Sequence, residues 1–313
     1  MMLGFIGLGY MGSRMATRLI DAGYEVGVYD RDAEKSRAVA QNGARVYHSA
    51  ADLAREADVV LSMLANDAAV EQVMLGPSGV VNAARSGATI IDLSSVHPDT
   101  SRRVATAAQL RGVSVLDAAV SGSTPQAEEG SLVMFVGGER SVLERCRPIL
   151  DVLSNHIFHL GSNGAGSTMK LVANGLLGAG MQALAEALAL GQRAGLDRAV
   201  LLDVLDQTSV LAPGHKRKLQ NARSDTYPVQ FALRLMWKDL GNVVRLAQER
   251  SVPMPTMAAV QQAYAIEQAK GVEEDFSAVI RTMEELAGVT PPPTTDVAPG
   301  SPNGVDHAAR AAA

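Results

Sequence analysis

The sequence predicts an α/β protein of two domains, a mostly parallel, doubly wound sheet followed by an all-helical domain. Three observations carry that expectation. Short apolar runs alternate with helix-compatible stretches from Leu3 to Val136, the pattern of βα units whose strands are covered on both faces. A G-x-G-x-x-G hexad stands between the first apolar run and the first helix. Beyond Ser162, strand-length apolar runs give way to helix-length segments alone.

Leu3–Ile6 is the first strand, and Gly7-Leu8-Gly9-Tyr10-Met11-Gly12 follows it, opening a helix to about Ala22. In that setting Gly7 permits the tight turn, Gly9 lets the backbone approach a pyrophosphate, and Gly12 lets the helix pack on the strand. The helix N-terminus, with Leu8, Tyr10 and Met11 around it, then faces the phosphates. A second strand, Tyr24–Tyr29, ends in Asp30, eighteen residues past Gly12. A carboxylate there can accept hydrogen bonds from the adenosine ribose, which makes this a Rossmann-type dinucleotide site.

Four more strands are expected, at Asp58–Leu64, Ala88–Leu93, Val113–Ala119 and Leu132–Val136, with helices such as Ala68–Met74 and Thr100–Gln109 between them. Gly161, Gly164 and Gly166 punctuate the chain after that, so the boundaries are 1–162 for the dinucleotide domain and 163–289 for the helical one. Helices are expected at Asp197–Thr208, Lys216–Ala222, from about Met236 to Arg250, at Thr256–Ala269 and at Phe276–Leu286. Residues 290–313 are rich in proline, alanine and small polar residues, a composition expected to stay disordered.

The stretch Gly164–Gly191 organises the helical half. It runs for more than twenty residues without proline, and small residues at Gly175, Gly178, Ala179 and Ala183 let a second helix approach closely. Its length admits a membrane span, but Lys170, Asn174, Gln182 and Glu186 interrupt it, so a buried helix in a core or dimer interface is expected. Lys170 and Asn174 stand at i and i+4 and project from one face. A lysine and an amide directed into apolar surroundings are costly unless they act. Taken alone, Lys170 is as readily a snorkelling stem as a functional amine.

Composition narrows the classes. The chain has 313 residues, 47% hydrophobic and 19% charged, with net charge −5, so no electrostatic case exists for nucleic acid. The basic cluster His215–Lys218 is expected to be a solvated loop or helix start. One cysteine, Cys146, excludes an internal disulfide and fits a reducing cytoplasm. No zinc spacing is present, no metal is expected, and the N-terminus lacks the basic region of a signal peptide.

Four motifs in order, GLGYMG at Gly7–Gly12, DAAVSGSTPQAEEGSLVMFVGG at Asp117–Gly138, GAGSTMKLVANG at Gly164–Gly175 and MWKDLGN at Met236–Asn242, resemble the β-hydroxyacid dehydrogenase family, over about residues 2–288. The resemblance implies that Leu64, Ala65 and Ser95 run along the cofactor toward the nicotinamide. It implies that Ser121, Gly122 and Ser123 bind the substrate carboxylate, that Lys170 is the acid/base, and that Asn174 positions substrate. Lys238, on the cofactor side, and Asp239, on the substrate side, would close the site. The sequence departs from the family pattern at Ala119, where proline is usual, at Ser123, where a second glycine is usual, and at Ala65, where proline follows the leucine. Taken alone, Ser121–Ser123 is an ordinary turn and Lys238–Asp239 a surface ion pair. Taken alone, Phe231 and Trp237 are expected in the core, although the pocket for the substrate substituent is expected to be lined from around Phe231–Asp239; His97 and His215 are given no role.

The function so implied is reversible hydride transfer between a nicotinamide and a small β-hydroxyacid or semialdehyde. The 3-hydroxyisobutyrate dehydrogenase and 2-hydroxy-3-oxopropionate reductase types lead, with glyoxylate/succinic semialdehyde reductase beside them. An imine reductase and a non-catalytic dinucleotide-binding protein are the other readings; relatives of both kinds lose the lysine. NAD is the expected cofactor, with NADP open because Arg31 follows Asp30. A homodimer or homotetramer is expected, because Leu171–Leu190 is apolar on more than one face.

Overall fold

The computed structural model describes residues 1–271 and 273–289, so the tail expected at 290–313 lies outside the described residues. Among the described residues, eight strands form one sheet: β1 (Met2–Ile6), β2 (Glu25–Tyr29), β3 (Arg45–Val46), β4 (Val59–Ser62), β5 (Thr89–Asp92), β6 (Ser114–Ser121), β7 (Leu132–Gly137) and β8 (Ser154–Gly161). Their order is β3-β2-β1-β4-β5-β6-β7-β8. Every pairing is parallel except β6 with β7. Strand order reverses between β1 and β4, the switch point at which a doubly wound sheet opens a crevice beyond its strand ends.

β1, β4 and β5 are buried along their whole length. One apolar layer gathers Leu3, Phe5, Met15 and Leu19 with Leu61 and Leu116. The opposite face gathers Ile6, Leu53, Val60, Val70 and Ile90. Burial on both faces is why these strands read as continuous apolar runs.

Two strands fall outside the sequence expectation. β3 has two residues, both exposed, too short for any period to register. β8 begins buried and then runs exposed or half-buried to its end, and carries His156 and His159, so it reads as polar chain. The reversal at β7 follows from its connection. Only residues 122–131 join β6 to β7, fewer than the dozen or more a parallel crossover needs.

The helix Ala165–Arg193 joins the two halves. Its start is fixed by the buried Asp117, whose carboxylate accepts the N–H groups of Gly164 at 2.8 Å and Ser167 at 2.9 Å. That supplies acceptors for donors which a helix end otherwise leaves unpaired, and sets negative charge at the positive pole. Gly164 needs its positive φ of 91°, and a Cβ on Gly166 would lie 2.3 Å from the Phe135 carbonyl. Farther along, Met181, Leu184 and Leu188 pack with Leu233, Met236, Leu240, Tyr264 and Ile280 in the helical core. Gly178 faces Met236 and Leu240 there, the close approach expected of the small-residue spacing. The helix has the length and composition to cross a membrane, and half of its apolar window is buried inside the protein.

The segment expected to be one helix at Lys216–Ala222 is two, Pro213–Lys216 and Leu219–Ser224. The basic cluster there is not uniformly solvated, because His215 and Lys218 are buried. His215 Nε2 is 3.0 Å from the Leu177 carbonyl, and Lys218 Nζ donates to the fully buried Asp275 at 2.8 Å. The first contact docks the short helices on the long one, and the second ties them to the turn at Asp275 that leads into the last helix.

Candidate active site

The glycine loop shows why each glycine is needed. A Cβ on Gly7, whose φ is +91°, would lie 2.4 Å from the Met63 carbonyl, and one on Gly12 would lie 2.0 Å from the Gly7 carbonyl. A Cβ on Gly9 would meet nothing within 4 Å, so that position is kept bare for something outside the protein. Among the described residues, the N–H groups of Tyr10, Met11 and Gly12 have no acceptor. Three free donors at the start of the helix Gly12–Asp21 form an anion site that fits a dinucleotide pyrophosphate.

Asp30 closes this loop from behind. Its carboxylate accepts the Leu8 N–H at 2.7 Å and the Asp32 N–H at 2.9 Å. Leu8 therefore shapes the loop, with its side chain in the core and its donor already used, and presents no donor to phosphate. Arg31 is exposed and unpaired among the described residues.

The opposite wall hangs on a buried carboxylate that the sequence reading passed over. Asp92, pushed up from the usual carboxylate range by burial, accepts from Ser62 Oγ at 2.8 Å and Ser94 Oγ at 2.6 Å. Ser94 Oγ in turn accepts the Leu64 N–H at 2.8 Å. This chain of bonds fixes the Leu64–Ala65 turn and the approach to Ser95.

These walls enclose a cavity of about 220 Å3, lined by Tyr10, Leu64, Ala65, Ser95, Ser121 and Gly122 on the sheet side and by Lys170, Asn174, Lys238 and Asp239 on the other. Ser123 is absent from the lining. Its N–H and its Oγ both donate to Gln126 Oε1, at 2.9 and 3.0 Å, so the serine caps the helix Thr124–Glu129 and the carboxylate-binding role expected of it has no free group. Phe231 lines the cavity and also packs against the helical core. Trp237, expected in the core, is outside it, with 37% of its surface exposed.

Lys170 is the polar group in this wall whose burial goes uncompensated. It is buried at 9% exposure, and among the described residues its ammonium has neither a hydrogen bond nor an ion pair. Burial lowers its pKa from the ordinary 10.5 to about 8; the nearby Asp239 charge opposes that fall and Lys238 adds to it. One turn on, Asn174 Nδ2 donates to Asp239 Oδ2 at 2.6 Å, which leaves the amide Oδ1 as an acceptor. Lys238 Nζ lies 2.9 Å from Asp239 Oδ1 and also donates to the Ser95 carbonyl. The pair expected on the surface is a buried strut, with Asp239 wholly shielded from solvent.

The helix Leu233–Glu249 crosses from one half to the other along this seam. Below Lys238, Asn242 Nδ2 donates to Asp67 Oδ2 at 3.0 Å. At the far end, His97 Nε2 stands 3.3 Å from a Glu249 carboxylate oxygen. His97 Nδ1 accepts the Asp99 N–H, so the proton of the neutral ring sits on Nε2. Near the cavity mouth, Asp275 accepts the backbone N–H groups of Gln230 and Phe231 at 3.1 and 3.0 Å and places both side chains.

Residues 2–161 match the family described as the NAD binding domain of 6-phosphogluconate dehydrogenase. Residues 164–283 match the family described as NAD-binding of NADP-dependent 3-hydroxyisobutyrate dehydrogenase. The chain is 37% identical to 2-(hydroxymethyl)glutarate dehydrogenase of Eubacterium barkeri over 92% of this chain and 96% of that protein. The chain belongs to the β-hydroxyacid dehydrogenase family. Within that family it is 37% identical to 3-hydroxyisobutyrate dehydrogenase of Pseudomonas aeruginosa, over 88% of this chain and 96% of the relative. The solved structure of Mycobacterium tuberculosis 3-hydroxyisobutyrate dehydrogenase with L-serine superimposes with a TM-score of 0.81 at 32% identity, covering 90% of this chain and 98% of that one. As a member of this β-hydroxyacid dehydrogenase family the protein is an NAD(P)-dependent 3-hydroxyacid dehydrogenase.

Proposed function

We propose that the protein interconverts a small 3-hydroxyacid and its semialdehyde with Lys170 as the proton carrier. The observation that supports this most directly is the unpaired, buried Lys170 ammonium beside Asn174 in the cavity that the glycine loop opens into. The bound nicotinamide supplies the hydride acceptor in oxidation and the hydride donor in reduction. Ser121 and Gly122, at the end of β6, offer a hydroxyl and a backbone donor to the substrate carboxylate. Asn174, one turn on from Lys170 in the same wall, positions the substrate beside the lysine. Lys170 as amine takes that hydroxyl proton as the carbinol C–H bond breaks, and as ammonium returns it to the carbonyl oxygen in reduction. Lys238 braces Ser95 on the cofactor side and Asp239 on the substrate side, so closure of the helical half completes both sites together.

Asp30 at the end of β2 supports a preference for NAD, since a carboxylate there binds ribose hydroxyls and repels a 2′-phosphate. The single buried Cys146 supports a reducing, cytoplasmic setting. The apolar groove of Leu171, Gly175, Val243, Leu246 and Met257 supports a dimer through the helical half. Val172 and Leu176 stand exposed beside it, at 51% and 68%. A clean monomer in light scattering at micromolar concentration would contradict that assembly.

The test of the reaction is a panel of hydroxyacids, semialdehydes and cyclic imines, followed at the absorbance of the reduced cofactor. Turnover of 3-hydroxyacids with an unsubstituted carbinol is expected. Turnover of the imines alone would sink the assignment.

A further inference from the structure

The mouth of the active-site cavity carries basic and amide groups that the reaction at Lys170 does not use. Arg234 is the second residue of the helix Leu233–Glu249, one turn before Lys238, so both project from the same face toward the cavity. The guanidinium rests on Glu273 through Nε alone, at 3.0 and 2.8 Å to the two carboxylate oxygens. Among the described residues, both terminal amino groups of Arg234 are without partners. Gln230 lies beside it on the same wall. Its Oε1 accepts from Lys218 Nζ at 3.0 Å, which commits the amide oxygen and leaves the –NH2 as a donor. Among the described residues, the only carboxylate in the lining is Asp239, already held by Asn174. The remaining free groups at this end are therefore donors, two of them on a permanent cation.

A substrate that uses Ser121 and Gly122 for its carboxylate and Lys170 for its carbinol leaves this mouth for the substituent on the carbon between them. We propose that Arg234, with the Gln230 amide, selects a substrate whose α-substituent ends in a second carboxylate, that is, a dicarboxylic 3-hydroxyacid. The chemistry is direct. A guanidinium fork matches the two oxygens of a carboxylate and keeps its charge at every working pH. Arg234 and Gln230 are exposed at the mouth, so water holds these donors until a substrate carboxylate replaces it, and an aliphatic substituent gains nothing from them. The proposal rests on the dehydrogenase reading of Lys170, and its test separates the two.

Three acids with the same carbinol and the same α-carboxylate isolate the charge: 3-hydroxyisobutyrate, 2-(hydroxymethyl)pentanoate and 2-(hydroxymethyl)glutarate. Between the last two, chain length is alike and only the terminal carboxylate differs. In the wild type, kcat/KM for 2-(hydroxymethyl)glutarate should exceed that for the pentanoate by about ten- to a hundredfold, the range for a charge-assisted hydrogen bond. Arg234→Met should abolish that preference through KM, with kcat on the pentanoate and the NADH dissociation constant unchanged. Glu273→Gln, which removes the negative charge that competes for the guanidinium, should lower KM for the glutarate. Equal kcat/KM for the two longer acids in active wild type overturns the proposal alone. So does an Arg234→Met variant that weakens NADH and leaves the preference intact, because the guanidinium then serves the cofactor. A wild type that binds NADH yet oxidises none of the three acids overturns the dehydrogenase reading and the proposal with it.

Discussion

Asn174 on the helix Ala165–Arg193 donates to Asp239 on the helix Leu233–Glu249 at 2.6 Å, with the carboxylate fully buried. That bond ties the residue that orients substrate to the residue whose charge reaches Lys170. Asp239→Asn removes the charge that holds the Lys170 pKa up. The apparent pKa in the pH dependence of oxidation should therefore move to lower pH. Loss of the oriented Asn174 amide should lower kcat by about tenfold to a hundredfold, the scale of a misplaced reacting group. Steady-state kinetics across pH reads both effects. A limb that stays where it is would mean that Asp239 does not couple to the titrating group.

The Asp30 carboxylate, held against the Leu8 and Asp32 N–H groups, sets up the second prediction. NADH is expected to be preferred over NADPH in kcat/KM, and Asp30→Asn should narrow the gap because the variant no longer repels a 2′-phosphate. The variant keeps one acceptor oxygen for the loop, so folding should be retained. A wild type that prefers NADPH tenfold or more would assign the discrimination to Arg31, which is free to pair with that phosphate.

How much of this was legible in the sequence depends on where each constraint arises. Gly7, Gly9 and Gly12 were legible because the loop's demands are local, and the Lys170/Asn174 pairing because helical period 3.6 fixes it. At Ser123 the local signal was a helix cap, a serine followed three residues later by Gln126, and the structure bonds these two. Asp92 and Ser94 were invisible as a pair with Leu64, since the bond joins the ends of neighbouring strands 30 residues apart in sequence. The stretch around Phe231–Asp239 was legible as pocket wall but its shape was not, because Asp275, more than forty residues on, holds the Phe231 backbone. β8 escaped because it is largely open to solvent along its length.

Stability gives the third prediction. Lys170 titrates in the folded chain at about 8, below its ordinary 10.5. Below pH 8 both folded and unfolded chains carry the charge, and burial costs the fold about 3 kcal/mol, at roughly 1.4 kcal/mol per unit. As pH rises from 8 to 10.5 the folded chain has already lost the proton and the cost fades. Lys170→Met should therefore be more stable than wild type to denaturant at pH 7, and the difference should shrink steadily toward pH 10. A constant difference across that range would show that the gain is packing rather than relief of charge.

The most direct test of the central claim is the pH dependence of kcat/KM for hydroxyacid oxidation in wild type and Lys170→Arg. Lys170 must be an amine to accept the proton, so wild-type kcat/KM should rise through an apparent pKa near 8, and the reductive direction should fall through the same region. Arginine keeps its proton throughout. The variant should lose roughly 10²–10⁴ in kcat and the limb near 8 together, with NADH affinity unchanged. An arginine variant with wild-type turnover and the same pH profile would contradict the assignment of Lys170 as the acid/base.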